Sequence, residues 1–92
     1  MTRTLYNVIG LELRNGQYFC RAAVRGQGIA EARRAARSFR GRGYCSDVVI
    51  EKLVTYDYTH PIIPIEHWRY VPKEHNPLRG FWKKLTCDGT PL

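Results

Sequence analysis

Residues Leu11–Cys20 read LELRNGQYFC, and the Asn15-Gly16 pair at their centre decides how the chain begins. A two-residue hairpin loop of type I′ needs φ > 0 at both central positions, and Asn-Gly meets that demand at little steric cost. Upstream, Leu5, Asn7, Ile9, Leu11 and Leu13 alternate with Tyr6, Val8, Gly10 and Glu12, the period of two that belongs to a strand. The run Gln17–Arg25 supplies the return strand. With Asn15-Gly16 as the loop, Arg14 faces Gln17, Leu13 faces Tyr18, Leu11 faces Cys20 and Ile9 faces Ala22. The last three pairs form an apolar face, which is the expected core side. The opposite face pairs Glu12 with Phe19, Gly10 with Arg21 and Tyr6 with Arg25, and is expected to meet solvent or a ligand.

Working outward, Gly26-Gln27-Gly28 breaks the strand and a helix follows over Ile29–Arg40. Ile29, Ala32, Ala35, Ala36 and Phe39 fall within one arc of about 120°, a narrow face of small residues that lets a helix lie close on a sheet. Gly41 and Gly43 end it. The β-branched run SDVVIEKLVTY makes Cys45–Tyr56 the third strand. The order strand-strand-helix-strand gives an α+β fold, a small antiparallel sheet with one helix packed on one face. THPIIPIEHWRYVPKEHNPLRGFWKKL, residues 59–85, then changes character: it holds four prolines, both tryptophans and all three histidines. Pro61 and Pro64 oppose a regular central strand. Ile65–Val71 is therefore a candidate fourth strand at an edge. Residues 1–71 are expected to form a single domain, with 72–92 an irregular C-terminal extension packing on it or trailing from it, apart from one turn around Leu78–Lys84.

A chain of 92 residues is one domain. No apolar run approaches the roughly 18–20 residues that span a bilayer. The opening MTRTLYNVIG has one arginine and no long apolar stretch, so it does not read as a signal peptide, and a cytoplasmic location with no membrane partner is expected. Cys20, Cys45 and Cys87 are odd in number and widely spaced, which suits reduced thiols rather than a disulfide scaffold. Cys20 is expected in the core.

Charge is unevenly placed. The formal net charge is +7, yet residues 44–92 hold six basic and six acidic side chains. The whole excess lies in residues 1–43, which carry nine arginines against Glu12 and Glu31. Such asymmetry points to a polyanionic partner or an acidic protein surface. It concentrates in EARRAARSFRGRGY, residues Glu31–Tyr44. Arg33, Arg37 and Arg40 follow i, i+4, i+7 spacing and form a ridge beside the apolar face, with Arg34 next to it and Arg42 in the glycine turn. No acid stands three or four residues from Arg37 or Arg40, so the helix does not neutralise its own ridge. A guanidinium binds phosphate or carboxylate through two parallel hydrogen bonds. Arg37 and Arg40 also suit the negative end of the helix dipole, by about 0.3–1 kcal/mol each, and a solvated helix face is the alternative account. Arg33, Arg34, Arg37, Arg40 and Arg42 are the expected contacts to nucleic acid or an acidic partner. Arg21, Arg25, Trp68, Tyr70 and Trp82 are secondary candidates. For the aromatics Tyr56, Tyr58, Trp68, Tyr70, Phe81 and Trp82, packing is the main expectation and base stacking the alternative.

No catalytic constellation is found, so the chain is read as non-enzymatic, with no metal and no cofactor. His60, His67 and His75, with Cys45 or Cys87, lack a metal-binding spacing. Glu66-His67 and Glu74-His75 are adjacent pairs, and neighbours on an extended chain point apart. Two other classes stay open: a small ribonuclease-type toxin using His60, His67 or His75, and a protein-interaction module docking through Trp68 and Trp82 or forming a homodimer.

The order of elements over Leu5–Val54, with its Asn15-Gly16 turn, its Ala32/Ala35/Ala36 helix and the strand VVIEKLV, resembles small phage and mobile-element proteins, among them some type I anti-CRISPR proteins. The likeness is architectural, and no functional residue carries over. It implies a small inhibitor that docks on a nucleoprotein complex, such as CRISPR effector subunits. Many anti-CRISPR proteins are acidic mimics of DNA whereas this chain is basic. The resemblance therefore implies contact with a nucleic-acid backbone or an acidic protein surface rather than mimicry.

Overall fold

Asn15 at φ 49° and Gly16 at φ 79° close the first hairpin as the Asn-Gly pair predicts. The computed structural model describes residues 1–43, 45–57, 63–73 and 76–86. Strand β1 (Thr2–Arg14) and β2 (Gln17–Gln27) are followed by helix α1 (Ile29–Arg40), a single 3-10 turn (Gly41–Gly43), then β3 (Asp47–Tyr56), β4 (Pro64–Lys73) and β5 (Asn76–Leu85). The strands form one antiparallel sheet in the order β2-β1-β3-β4-β5, with the helix packed on it. This is the α+β class that the sequence implies. The chain divides into two compact units, Leu5–Ile50 and Met1–Thr4 with Glu51–Leu92. Among the described residues no helix is long and apolar enough to cross a membrane.

In the unit Leu5–Ile50 the hairpin register follows the turn for four pairs, Arg14–Gln17, Leu13–Tyr18, Glu12–Phe19 and Leu11–Cys20. It then slips twice. Gly10 pairs with Ala22 and Ile9 with Ala23, and further on Tyr6 stands opposite Gln27 rather than Arg25. Each slip places an extra residue on β2, which is a β-bulge. At the second, Gly26 takes φ 68° and its N–H donates to Asn7 Oδ1 at 3.0 Å, so the buried Asn7 amide has a partner.

The core lies on the other face of β1 from the one expected. Val8 is completely buried, and it packs with Ala32, Ala36, Cys45 and Val48, bordered by Tyr6, Val24, Ala35, Phe39 and Ile50. On the face that the alternation of Leu and Ile suggests as core, Leu13 is 49% and Tyr18 57% exposed, and Cys20 is exposed too. Gly10 explains the choice. It lies under the helix end, where a Cβ would collide with Cys45 Sγ and come within 3.2 Å of Phe39 Cδ2. The face with the glycine accepts an alanine-lined helix closely; the face of branched side chains does not. Cys45, not Cys20, fills the small buried position.

The helix itself matches its expected bounds. Ala32 and Ala36 are buried, while Ile29 at its start is 38% exposed. The Ala32 N–H donates to Gly28 O at 3.0 Å, and the Gly41 N–H donates to Arg37 O, so both ends are tied. The returning chain is pinned to β1: Ser46 N–H donates to Leu11 O at 2.7 Å and Leu13 N–H donates to Ser46 Oγ at 3.1 Å.

The unit built from Glu51 onward differs from expectation in two ways. Strand β4 is an interior strand between β3 and β5, not an edge. Pro64 is compatible with this because it is the first residue of the strand, where the ladder tolerates a missing N–H. Residues from 72 onward are not irregular throughout, since Asn76–Leu85 forms β5, paired with β4 from His67–Leu85 to Pro72–Gly80. Gly80 makes that pairing fit: a Cβ there would strike the Val71 carbonyl oxygen and lie 2.9 Å from both Pro72 Cα and Tyr70 Cζ. Thr55 and Leu85 are buried here, as is His67. Pro61 lies outside the described residues.

Candidate functional site

The arginine ridge forms on α1 because its neighbours at the helical period are alanines that face the core. Arg33, Arg34 and Arg37 are exposed and Arg40 is half-buried. Among the described residues none of these four guanidiniums has an ion pair or a hydrogen bond. Arg42 lies in the turn directly after the helix. Four cations on about two helical turns without a carboxylate between them repel one another, and a bound anion relieves that repulsion.

The arginines of the hairpin are placed differently. At its tip the Arg14 guanidinium donates to Glu12 Oε2 at 2.9 Å, and Arg21 lies 3.8 Å from the same oxygen. The hydrogen bond from Arg14, with the nearby charges of Arg14 and Arg21, holds the Glu12 carboxyl below the usual carboxylate range. Arg14 also lies 6.0 Å from the centre of the Phe19 ring. These side chains and Cys20 line a shallow depression of 450 Å³. Arg21 is thus already engaged by a carboxylate, which makes it a poorer anion ligand than the helix arginines. Arg25 is exposed, and its carbonyl accepts from Gln27 Nε2 at 2.9 Å.

The aromatic candidates come together within the β3–β4–β5 unit. Lys52 pairs with Trp68, Trp68 with Lys84, and Tyr70 with Trp82, so by strand alternation all five share one face. Tyr70 and Trp82 meet edge-to-face, 5.4 Å between ring centres at 65°. Lys52 Nζ lies 4.9 Å from the Trp68 ring centre and 4.8 Å from that of Trp82, and Lys84 Nζ lies 5.5 Å from Trp68. These are cation–π distances. Trp68, Tyr70, Trp82 and Lys52 are half-buried and Lys84 is exposed. Lys84 also pairs with Glu66 Oε1 at 3.5 Å. Sequence reading names the three aromatics but misses Lys52 and Lys84. The signal that could have found Lys84 is the period-two pattern Trp82, Lys84 once residues 76–85 are seen as a strand, whereas Lys52 joins the face only through the β3–β4 register.

Of the histidines, His60 and His75 lie outside the described residues, as do Cys87 and Tyr58. His67 Nε2 contacts Glu51 Oε2 across the strands, while the adjacent Glu66 points to the other face, as neighbours on a strand must. His67 Nδ1 and Arg69 Nε are buried without a hydrogen-bond partner. Among the described residues no three His, Cys, Asp or Glu side chains gather as a metal site would need. No protein-family model, no curated protein and no solved structure matches this chain.

Proposed function

We propose that this chain is a small basic binding protein that docks on nucleic acid, alone or within a nucleic-acid-handling complex, through Arg33, Arg34, Arg37 and Arg40. One observation carries the reading: the four arginines occupy one helix with no acidic partner among the described residues. A helix selected only for stability gains from interleaved Glu and Arg, and this helix holds a single acid, Glu31, in its first turn. Each guanidinium of such a ridge can take a phosphate through paired hydrogen bonds, and each contact releases counterions. Arg42 extends the same basic run. The architectural likeness to type I anti-CRISPR proteins supports a phage- or mobile-element-encoded inhibitor acting in the host cytoplasm, with CRISPR effector subunits as the nucleoprotein target.

Fluorescence anisotropy with labelled duplex DNA and single-stranded RNA, each at two salt concentrations, tests the proposal. Micromolar or tighter binding that weakens steeply with salt supports it. Absence of binding to either at low salt overturns it.

A second reading rests on a different observation. Leu13, Tyr18 and Cys20 share an exposed, largely apolar face of β1–β2, which suits a protein partner or a second copy of the chain. Light scattering that shows a dimer dissociated by Leu13→Glu favours it.

A further inference from the structure

We propose that the face formed by Trp68, Tyr70 and Trp82, with Lys52 and Lys84, is a base-stacking platform that binds single-stranded nucleic acid. The inference rests on the nucleic-acid reading above but concerns a separate set of residues. Three rings and two ammonium groups lie on one face of three adjacent strands, and all are at least partly open to solvent. A sheet face of this kind offers what a single strand needs: flat π surfaces for unpaired bases and cations for the phosphates between them. Lys52 and Lys84 are the cations of this face, since strand alternation turns the neighbouring Lys83 to the other side of the sheet.

The arrangement of the lysines bears on the mechanism. Lys52 Nζ lies nearly equidistant from the two indoles, at 4.9 and 4.8 Å, and Lys84 covers Trp68 at 5.5 Å. A lysine is a flexible point charge that readily changes partner. A base arriving on an indole displaces an ammonium whose hold on a solvent-open ring is weak, and a stacked base contributes more than the contact it replaces. The ammonium so freed to reach a phosphate is that of Lys52, which has no ion pair among the described residues, whereas Lys84 is held by Glu66. A duplex, whose bases are already stacked on each other, cannot use the rings in this way. The platform therefore selects single strands, whereas phosphate contacts alone do not. An acidic protein surface would engage the lysines and leave the rings without a role.

Trp68 and Trp82 are the two tryptophans of the chain, so intrinsic emission reports on this face directly. The whole chain is titrated with a short oligothymidylate, with an abasic strand of equal length and charge, and with a duplex. The expected result is quenching by the oligothymidylate alone, with affinity for the abasic strand lower by roughly 10- to 100-fold. Trp82→Phe, which keeps a ring, should retain most of the affinity, and Trp82→Ala should lose about the same factor as the abasic strand. Equal affinity for oligothymidylate and abasic strand without quenching overturns the platform and leaves the arginine reading intact. Equal quenching by the duplex overturns the single-strand preference. Failure of all three to bind overturns both readings.

Discussion

Gly10 on β1 lies against the sulfur of Cys45, so closely that a methyl group at Gly10 would overlap Sγ and press on Phe39. This contact decides which face of the hairpin the helix covers. Alanine is ordinarily favoured over glycine in a strand by about 0.5–1 kcal/mol, through the lost freedom of the unfolded chain. Here overpacking outweighs it. Gly10→Ala should destabilise the fold by about 1–3 kcal/mol, read as a lower urea midpoint. In a Cys45→Ala background the same substitution should cost much less, because the colliding atom is gone. A neutral Gly10→Ala in the wild-type chain would falsify the close approach.

What the sequence made legible, and what it hid, follows from the range of the forces involved. The Asn15-Gly16 turn and the four pairs next to it are set by local backbone geometry, and both were readable. The helix bounds were readable for the same reason, since glycine flanks both ends of Ile29–Arg40. The two bulges were not, because nothing within β2 alone marks Arg21 or Arg25-Gly26 as surplus. Alternation showed which residues share a face but not which face the helix would take, and counting Leu and Ile pointed the wrong way. Strand β5 was hidden by Pro77 and Gly80, local breakers that the pairing with β4 overrides. The arginine ridge needs only helical periodicity and was visible at once. Lys52 and Lys84 are 32 residues apart in sequence and meet Trp68 only through two strand pairings, so the composition of the aromatic face was out of reach.

The Glu51–His67 contact should matter more to stability than the Glu66–Lys84 pair. The Glu51 and His67 side chains are only 13% and 11% exposed, and His67 Nδ1 already lacks a partner. Glu51→Ala leaves both ring nitrogens unpaired, at a cost of about 1–3 kcal/mol. The Glu66–Lys84 pair is open to water, at 39% and 49%, so Glu66→Ala should change stability by about 0–1 kcal/mol. Urea unfolding of both variants checks the order. Equal midpoints would mean that the Glu51–His67 contact does not hold β3 to β4 in solution.

Glu12 should titrate below an ordinary glutamate, chiefly because Arg14 hydrogen-bonds its carboxylate. A carboxyl whose folded value lies below its unfolded value stabilises the fold above the unfolded value, near pH 4.3, and that contribution is lost as pH falls through the folded value. The pair is on the surface, so salt should shrink the shift. Carbon-detected titration of the Glu12 side chain measures it. Arg14→Ala should move the midpoint up toward the usual glutamate range. A midpoint indifferent to Arg14→Ala would show that the two side chains do not stay paired.

The ridge makes a quantitative claim about salt. Each phosphate neutralised contributes about 0.9 to the slope of log affinity against log salt for a duplex, and about 0.7 for a single strand. Changing Arg33, Arg37 and Arg40 together to alanine should therefore lower the slope by about 2–3 and weaken binding at low salt. Stability should barely change for Arg33 and Arg37, which are exposed, since alanine is the best helix former. Arg40 is half-buried, and the aliphatic stem lost there should lower stability slightly. The control is Arg21→Ala, whose side chain is already engaged by Glu12 and should leave the slope nearly unchanged. A triple variant that folds normally yet keeps the wild-type slope would remove α1 from the binding surface and leave the aromatic face of β3–β4–β5 to account for any affinity that remains.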